Sequence, residues 1–371
     1  MDSDIIKAKS KLPMDFINEI YNNYSEKNAD KILKGMCKER YTTLRVNILK
    51  SSVDEIKKVL NENDFKYEIC CLTQNDWKQN ELVKSESEQN DCEQNKLKQN
   101  ENTSKLNAKD ENKTIFNNGS EQCSFYGDAF IIKNKNESDL QKLEIYKQGK
   151  IYIQSLSSMI PPLILDIKKN DNILDMASAP GSKTTEMAAI TNNTGKIIAN
   201  EIDKIRLEKL NYNIKLQGAT NIETINFDGA NLYKKFPEKF DKVLLDTPCS
   251  GEGRFQICNQ KTYAKWSKNL VNELTEIQKK LIESAIMCCK KGGTIVYSTC
   301  TLNKEENEKI IDYALKNFNV KLDEIKINVE NKVKGNTKGI DKEISKTLKI
   351  IPNENFEGFY LAKLIKLWYK M

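Results

Sequence analysis

Two cysteines lie in short polar segments that directly follow apolar, strand-like segments. Cys249 stands in the sequence DTPCSG after residues 243–245, and Cys300 stands in STCT after residues 294–297. One cysteine at a strand end is usually structural. Two, each flanked by small hydroxylated residues, indicate covalent chemistry that uses a thiolate. The spacing therefore predicts a thiol-based active site at the ends of two strands.

The first of these segments also carries a carboxylate. Asp246 ends the strand-like run, and Pro248 stiffens the backbone directly before Cys249. Open α/β sheets bind their ligands at the carboxyl ends of strands. Taken alone, this segment fits an ordinary strand exit with a core cysteine equally well, and the second thiol segment favours an active site.

A third loop has the composition of a cofactor-binding turn. Residues 172–176 predict a strand, and the sequence ASAPGSKTT at 177–185 leads into a helix over 186–189. Small residues let a ligand approach the backbone, and a helix start offers unpaired N–H donors. Such a turn is a weak indication by itself.

Two further strand ends carry acids that strengthen this interpretation. Glu201 follows a strand over 196–200, where a carboxylate can bind ribose hydroxyls. Asp228 follows a strand over 223–227 and suits an adenine edge. The order of glycine loop, acid, acid and DTPC is typical of a class I methyltransferase that binds S-adenosyl-L-methionine rather than a dinucleotide.

The segments LDMASAPGSKTT, ANEID, LLDTPCSGEGRF and VYSTCTLNKEENE together resemble the motif series of the Sun/RsmB-type (NSUN-like) RNA cytosine-5 methyltransferases. The resemblance runs in order from about residue 41 to about residue 363, apart from one inserted segment. It implies that Cys300 attacks the base and that Cys249 is needed for product release. In this chemistry Asp246 can stabilise ring nitrogen 3 of cytosine, and Lys183 can add positive potential.

The resemblance also implies an S-adenosylmethionine site along one loop and three strand ends. Its residues are Ala177, Ser178, Ala179, Pro180, Gly181, Ser182, Lys183, Glu201, Asp228 and Asp246. Three segments depart from the family pattern: ASAPGSK replaces the usual CAAPGGK, Glu201 replaces an aspartate, and TCT replaces TCS. Ser182 in place of glycine could tighten the loop, so cofactor affinity is the property this departure affects.

The expected fold is α/β: a class I methyltransferase Rossmann-like sheet with helices on both faces, preceded by a small α+β domain. A helix over 12–24 precedes a strand, helix and strand over 41–50, 52–61 and 65–72. The resemblance gives this module an RRM-like fold, with Arg45 and Asn47 at the interface with the catalytic domain; a surface salt bridge is the alternative for Arg45. We divide the chain into residues 1–150 and 151–371.

Residues 73–121 differ in composition from the rest of the chain. They are rich in Gln, Asn, Glu, Lys and Ser and contain few large apolar residues. Such a segment cannot bury enough apolar surface to offset the entropy lost on ordering. We expect a disordered insertion. Because its charge is mixed, an insertion that is tolerated in one lineage is a better interpretation than an RNA-binding segment.

Ten cysteines and no histidine limit the metal chemistry. No C-x-x-C pair occurs, and a zinc site of the histidine-containing type is impossible. We therefore expect free thiols and no metal. Cys288 and Cys289, placed in a helix over 276–290, are expected to pack in the core.

Neither a membrane span nor a signal peptide is predicted. No apolar run approaches the length of a span, and the segment MDSDIIKAKSK lacks an apolar signal core. We expect a cytoplasmic, monomeric protein. The net charge of +6 is compatible with RNA binding but does not establish it.

Several other residues could serve the cofactor or the RNA. Gln154 and Ser157 are candidates for lining the cofactor pocket, with helix capping by Ser157 or Ser158 as the alternative. Residues 254–268 interleave basic and aromatic side chains, which suits phosphate contacts and base stacking. Their members are Arg254, Lys261, Tyr263, Lys265 and Trp266, and core anchoring of the tryptophan is the alternative.

Rival functions are distinguished by the second thiol motif. A DNA cytosine methyltransferase uses a Pro-Cys nucleophile but leaves STC unexplained, and its F-x-G-x-G cofactor signature is not found. A protein or small-molecule methyltransferase would need neither thiol. A catalytically idle RNA-binding assembly factor could lose Cys300, which is present. Ribosomal RNA is the expected substrate, and transfer RNA is the alternative.

Overall fold

The computed structural model of the chain describes residues 2–70, 129–327 and 329–368. The insertion expected at 73–121 lies outside the described residues. The helices are α1 Ser3–Lys11, α2 Met14–Asn23, α3 Glu26–Cys37, α4 Val53–Glu62, α5 Glu137–Lys142, α6 Glu144–Lys147, α7 Leu156–Ile164, α8 Ser182–Ile190, α9 Lys204–Gln217, α10 Leu232–Lys235, α11 Lys268–Cys288 and α12 Glu308–Asn317. The strands are β1 Thr42–Val46, β2 Tyr67–Cys70, β3 Ala129–Ile132, β4 Ile151–Ile153, β5 Asn172–Asp175, β6 Lys196–Asn200, β7 Ile222–Ile225, β8 Phe240–Asp246, β9 Cys289–Thr299, β10 Val320–Asp323, β11 Lys332–Lys334, β12 Leu348–Ile350 and β13 Phe359–Lys366.

The first three helices pack directly against the carboxyl-terminal half of the chain. The ring of Phe16 lies 5.1 Å from that of Phe255 and 5.7 Å from that of Trp266, measured between centroids. The Tyr24 hydroxyl donates to the carbonyl of Leu302 at 2.9 Å. Because these contacts bury the apolar faces of α1 to α3, the helices form part of the wall beside the loops that follow β8 and β9.

The next elements form the small α+β module that the sequence predicts. Strands β1 to β4 make an antiparallel sheet in the order β2-β3-β1-β4, with α4 between β1 and β2 and the short α5 and α6 between β3 and β4. This β-α-β-β-α-β arrangement agrees with an RRM-like module. Ile56 and Leu60 of α4 are buried against the sheet, as their spacing predicts. The domain boundary at residue 150 stays a prediction, since β4 lies just beyond it.

The larger sheet is the predicted class I methyltransferase sheet. Its order is β11-β12-β13-β9-β8-β5-β6-β7, and β10 pairs with β13 as the ninth strand. Strands β7, β6, β5, β8 and β9 are parallel, whereas β13 is antiparallel to β9. The chain order reverses at β5, which has β6 on one side and β8 on the other. In open α/β sheets this point marks the ligand-binding crevice.

Two apolar cores cover the opposite faces of this sheet. One contains Ile173 of β5 and Leu244 of β8, together with residues of α7 and α8. The other contains Leu174 and Val243, their neighbours on the same strands, with residues of α11 and α12. Successive side chains of a strand point to opposite faces, so apolar runs such as 243–245 are required to fill both cores.

Two predictions near the active-site strands are wrong in detail. The helix placed over 276–290 ends at Cys288, and Cys289 starts β9 because its backbone is extended. Both thiols are fully buried, which confirms their predicted core packing. The acidic residues Glu305, Glu306 and Glu308 are expected from the sequence to open a helix, because the helix dipole favours anions there. They precede the helix for the most part, since α12 starts only at Glu308. Across the described residues, no helix combines the length and apolarity needed to cross a membrane.

Candidate active site

The carboxyl ends of β8 and β9 bring the two predicted thiols together. Asp246 pairs with Ser298 in the parallel register, and the Sγ atoms of Cys249 and Cys300 lie 3.3 Å apart. The Gly253 N–H donates to the Cys300 carbonyl at 2.9 Å. A Cβ atom on Gly253 would lie 1.9 Å from the carbonyl oxygen of Gly358, so only glycine permits this close approach.

The surroundings of Cys249 disfavour its thiolate form. The pKa of Cys249 is raised well above its ordinary value, first by the hydrogen bond with Cys300, then by burial and by the nearby Glu306 and Asp246. Either sulfur can be the donor in this 3.3 Å contact. A hydrogen bond between the two sulfurs lets one thiol stabilise the thiolate form of the other, which is what a nucleophilic cysteine needs.

Lys183 and Asp246 form a buried ion pair beside the thiols. Lys183 Nζ lies 2.7 Å from Asp246 Oδ2 and donates to Ser158 Oγ at 2.6 Å. Ser298 Oγ donates to Asp246 Oδ1 at 2.7 Å. Burial alone would lower the pKa of Lys183, but Asp246 more than compensates and the net shift is upward. The pair therefore presents a fixed cation and a fixed carboxylate.

The glycine loop is held in place by α9. Arg206 Nη2 donates to the carbonyl of Ala179 at 2.6 Å, and Asn213 Nδ2 donates to that of Pro180 at 2.8 Å. Gly181 has a φ of 105°, which side-chain-bearing residues rarely adopt. Helix α8 starts at Ser182, so its first N–H groups lie beside the end of β5, where a helix start can bind an anionic group.

Other members of the predicted cofactor site have different surroundings. Glu201 is buried, and its Oε1 accepts from the Asp203 N–H at 3.0 Å. Glu201 Oε2 is also buried; Arg206 Nη1 lies 3.5 Å from it as an ion-pair partner, but no described residue donates a hydrogen bond to it. A buried oxygen with this free hydrogen-bonding capacity is unusual in a folded protein and fits a ligand hydroxyl. The Asp228 carboxylate is exposed and accepts from Ala230 N at 3.0 Å and Asn231 Nδ2 at 2.6 Å. The Ser178 hydroxyl is engaged within the protein, by the Asn200 carbonyl at 2.7 Å.

A family model described as 16S rRNA methyltransferase RsmB/F matches residues 162–365. This range contains both thiols, the ion pair and the whole parallel sheet. The chain belongs to this family. A crystal structure of a methyltransferase homolog from Pyrococcus horikoshii matches with a TM-score of 0.72 and 26% identity, covering 99% of this chain and 100% of that one. The structure of NSun6 from the same organism, with a TM-score of 0.69 and 23% identity, covers 97% of this chain and 100% of that one and agrees in fold.

Relatives of this RsmB/F-family chain carry two kinds of name. A tRNA (cytosine(49)-C(5))-methyltransferase from Pyrococcus abyssi is 39% identical over 244 residues, which are 65% of this chain and 78% of that protein. A ribosomal RNA small subunit methyltransferase F from Shewanella sp. (strain MR-7) is 40% identical over 221 residues, which are 58% of this chain and 46% of that protein. The match thus spans less than half of the Shewanella relative.

Arg45 and Asn47 connect the small sheet to the catalytic sheet. Arg45 is buried, and its guanidinium donates to Gln154 Oε1 at 3.3 Å and to Thr185 Oγ1 at 3.4 Å. Asn47 Nδ2 donates to the carbonyl of Gln217 at 2.8 Å. The surface salt bridge considered for Arg45 is therefore wrong, and the interface position is confirmed.

The alternative of helix capping by Ser157 or Ser158 is wrong, and the lining of the cofactor pocket by Gln154 and Ser157 stays a prediction. Ser155, and neither Ser157 nor Ser158, caps α7. Ser157 Oγ donates to the Glu357 carbonyl at 2.8 Å, and Gln154 Nε2 donates to Glu186 at 2.8 Å.

In the segment at 254–268, the aromatic side chains are buried and the basic side chains are exposed. Trp266 is buried and its Nε1 donates to Glu252 at 2.9 Å, and Tyr263 is buried as well. Arg254, Lys261 and Lys265 are exposed. The two aromatic rings therefore anchor the segment, and its basic side chains remain available to solvent.

Sequence reasoning missed three polar residues that contact the site. Ser158 and Ser298 hold Lys183 and Asp246, and Glu306 contacts the loop that carries Cys249. Serine is common near strand ends, so the residue type gives no indication of a site role for Ser158 or Ser298. Glu306, directly after STCTLNKE, could have been singled out, but it is interpreted from the sequence as part of a helix start. Among residues 2–70, 129–327 and 329–368, no cluster of three or more Cys, Asp or Glu side chains is arranged to hold a metal ion.

Proposed function

We propose that this protein transfers a methyl group from S-adenosylmethionine to carbon 5 of cytosine in RNA through a covalent Cys300–cytosine intermediate. The observation that carries the proposal is the pair of thiols 3.3 Å apart beside the Lys183–Asp246 ion pair. A methyltransferase without covalent chemistry needs neither thiol. Family membership over residues 162–365 supports the same reaction.

The residues present fit the cofactor. Glu201 Oε2, which pairs with Arg206 but accepts no hydrogen bond from a described residue, can accept one from a ribose hydroxyl. Asp228 can meet the adenine edge, and loop 177–183 with the start of α8 can hold the methionine part. The bound cofactor supplies an electrophilic methyl group.

The protein's own residues perform the activation of the base. The Cys300 thiolate adds to carbon 6 of cytosine, which breaks the ring's aromaticity and makes carbon 5 nucleophilic. The Asp246 carboxyl group, when it carries a proton, hydrogen-bonds or protonates nitrogen 3, while Lys183 adds positive potential as negative charge develops on the ring. Once carbon 5 carries the methyl group, its proton passes to Cys249 acting as a thiolate base; the double bond re-forms and the Cys300 thiolate is expelled. A paired cytosine must leave its stack to reach these side chains.

The two thiols can be separated experimentally. With labelled RNA and S-adenosylmethionine, Cys300→Ala should abolish methyl transfer and form no adduct, because addition never occurs. Cys249→Ala should add to the base and accept the methyl group but stall before elimination, so a denaturation-resistant protein–RNA complex should accumulate. The exposed Cys258 provides a control, since Cys258→Ala should resemble wild type. An adduct in the Cys300 variant but not in the Cys249 variant would reverse the assignment and match the DNA enzymes instead.

We assign ribosomal RNA as the first candidate substrate because of the family model and the SGEGRF segment. Transfer RNA is the second candidate, favoured by the Pyrococcus abyssi relative, of whose length the match covers 78%. Bisulfite sequencing of total RNA from a deletion strain discriminates between them: the cytosine that loses protection lies in one class of RNA or the other.

A further inference from the structure

The buried acid Glu306 holds the loop that carries Cys249. Its side chain is 0% exposed. Glu306 Oε2 accepts from the Ser250 backbone N–H at 2.8 Å, and Oε1 accepts a close hydrogen bond from the Ser250 hydroxyl. Gln278 Nε2 donates to the same carboxylate at 3.1 Å and to the Pro248 carbonyl at 2.8 Å. The residues on both sides of Cys249 are therefore tied to Glu306, one of them through Gln278.

The same network reaches the loop of the second thiol. Ser250 Oγ lies 2.9 Å from Thr301 Oγ1, and Thr301 directly follows Cys300. In addition, the Tyr297 hydroxyl donates to the backbone carbonyl of Glu306 at 2.5 Å, which fixes this segment against β9. One carboxylate thus connects the residues that follow both thiols.

A carboxylate is a costly group to bury in this position. Burial raises the pKa of Glu306, and hydrogen bonds from Ser250, Gln278 and Thr301 oppose that shift. Glutamine has a similar shape but only one acceptor oxygen. If that oxygen faces the Ser250 N–H and Gln278, the NH₂ group faces the Ser250 hydroxyl, which can then no longer donate to residue 306. The hydrogen bonds around Ser250 therefore depend on two acceptor oxygens on one side chain.

We propose that Glu306 is a positioning residue that sets the distance and orientation between Cys249 and Cys300. The proposal rests on the function proposed above and extends it, because correct placement of Cys249 matters after methyl transfer rather than before it. Loss of the carboxylate releases the 248–250 loop and moves Cys249 away from the adduct that Cys300 forms.

Glu306→Gln tests the kinetic consequence. We expect multiple-turnover methylation to fall by about 100-fold, the loss associated with roughly 1 Å of misplacement, while single-turnover methyl transfer falls much less. Adduct should accumulate as it does for Cys249→Ala. Glu305→Gln is the matched control, since Glu305 is partly exposed and forms an ion pair with Lys309 at 2.6 Å; it should behave like wild type. Unchanged turnover in a folded Glu306→Gln protein, or an equal loss in both assays, would refute the positioning role.

A measurement without RNA separates this proposal from the function on which it rests. Dibromobimane alkylates one thiol and then bridges to a second thiol close by, and mass spectrometry of the Cys249 and Cys300 peptides gives the ratio of bridged to singly alkylated protein. This ratio should be high in wild type and in Glu305→Gln and at least several-fold lower in Glu306→Gln. An unchanged ratio overturns the proposal, whereas a wild type that forms no 5-methylcytosine overturns the function.

A second variant covers the case in which Glu306→Gln does not fold. Ser250→Ala removes the hydroxyl that connects Glu306 to Thr301 and leaves the backbone N–H bond in place. It should show the same two effects as Glu306→Gln, adduct accumulation and a reduced bridging ratio, but each should be smaller. A Ser250→Ala protein with wild-type values for both would contradict the proposed network.

Discussion

A fully buried ion pair joins the amino-terminal helices to the catalytic domain, and its removal should strongly destabilise the protein. Lys349 Nζ on β12 lies 2.8 Å from Glu308 Oε1 on α12, with exposed side-chain fractions of 1% and 0%. The same ammonium group lies 4.6 Å from the ring centroid of Tyr24, the residue that directly follows α2. Lys349→Met keeps the side-chain volume but leaves the Glu308 charge buried without its cation. Breaking a buried pair in this way costs about 3–5 kcal/mol.

Urea unfolding followed by circular dichroism measures this cost. Lys309→Met is the matched control, because Lys309 pairs with Glu305 where both side chains are 49% and 43% exposed; its cost should stay below about 1 kcal/mol. Adding Glu308→Gln to Lys349→Met removes the uncompensated charge and keeps an acceptor for the Asn336 N–H. The double variant should therefore be more stable than Lys349→Met. A cost for Lys349→Met no larger than that of Lys309→Met, or additive costs in the double variant, would refute the reasoning.

Two further predictions concern the cofactor loop and its neighbouring strand. Glu201→Ala and Asp228→Ala should each weaken S-adenosylmethionine binding by about tenfold or more in calorimetry, and unchanged affinity in both would exclude the proposed ribose and adenine contacts. Burial raises the pKa of Asp175 from 3.8 to about 7, so the fold favours its neutral form: its contribution to stability is present below about pH 4 and is lost as the pH rises to about 7. Asp175→Asn, which can still accept the hydrogen bond from Thr184 Oγ1, should gain stability over wild type across this range, and a urea-midpoint difference that stays constant from pH 4 to pH 8 would contradict this.

Local patterns predicted most of the elements that carry the site. Apolar runs such as 243–245 and 196–200 gave the right strands because buried parallel strands need continuous apolar sequence. The strand–helix–strand pattern at the amino terminus likewise predicted the small sheet. The errors lie at boundaries: Cys289 belongs to a strand because the backbone turns extended there, a change that apolar side chains do not signal.

The sequence by itself determined which chemistry is available: two thiols, an aspartate and a lysine, each placed at the end of a strand or the start of a helix. Only the tertiary structure decided how they are paired. Parallel register puts Asp246 beside Ser298 and so brings Cys249 within 3.3 Å of Cys300, and packing decides that Arg45 is buried whereas Arg254 is exposed. Glu306 shows most clearly what the sequence alone does not predict, because its contacts with Ser250 and Gln278 join segments far apart in the chain. Distances across such separations depend on how the sheet and its helices pack, and no local pattern of residues encodes them.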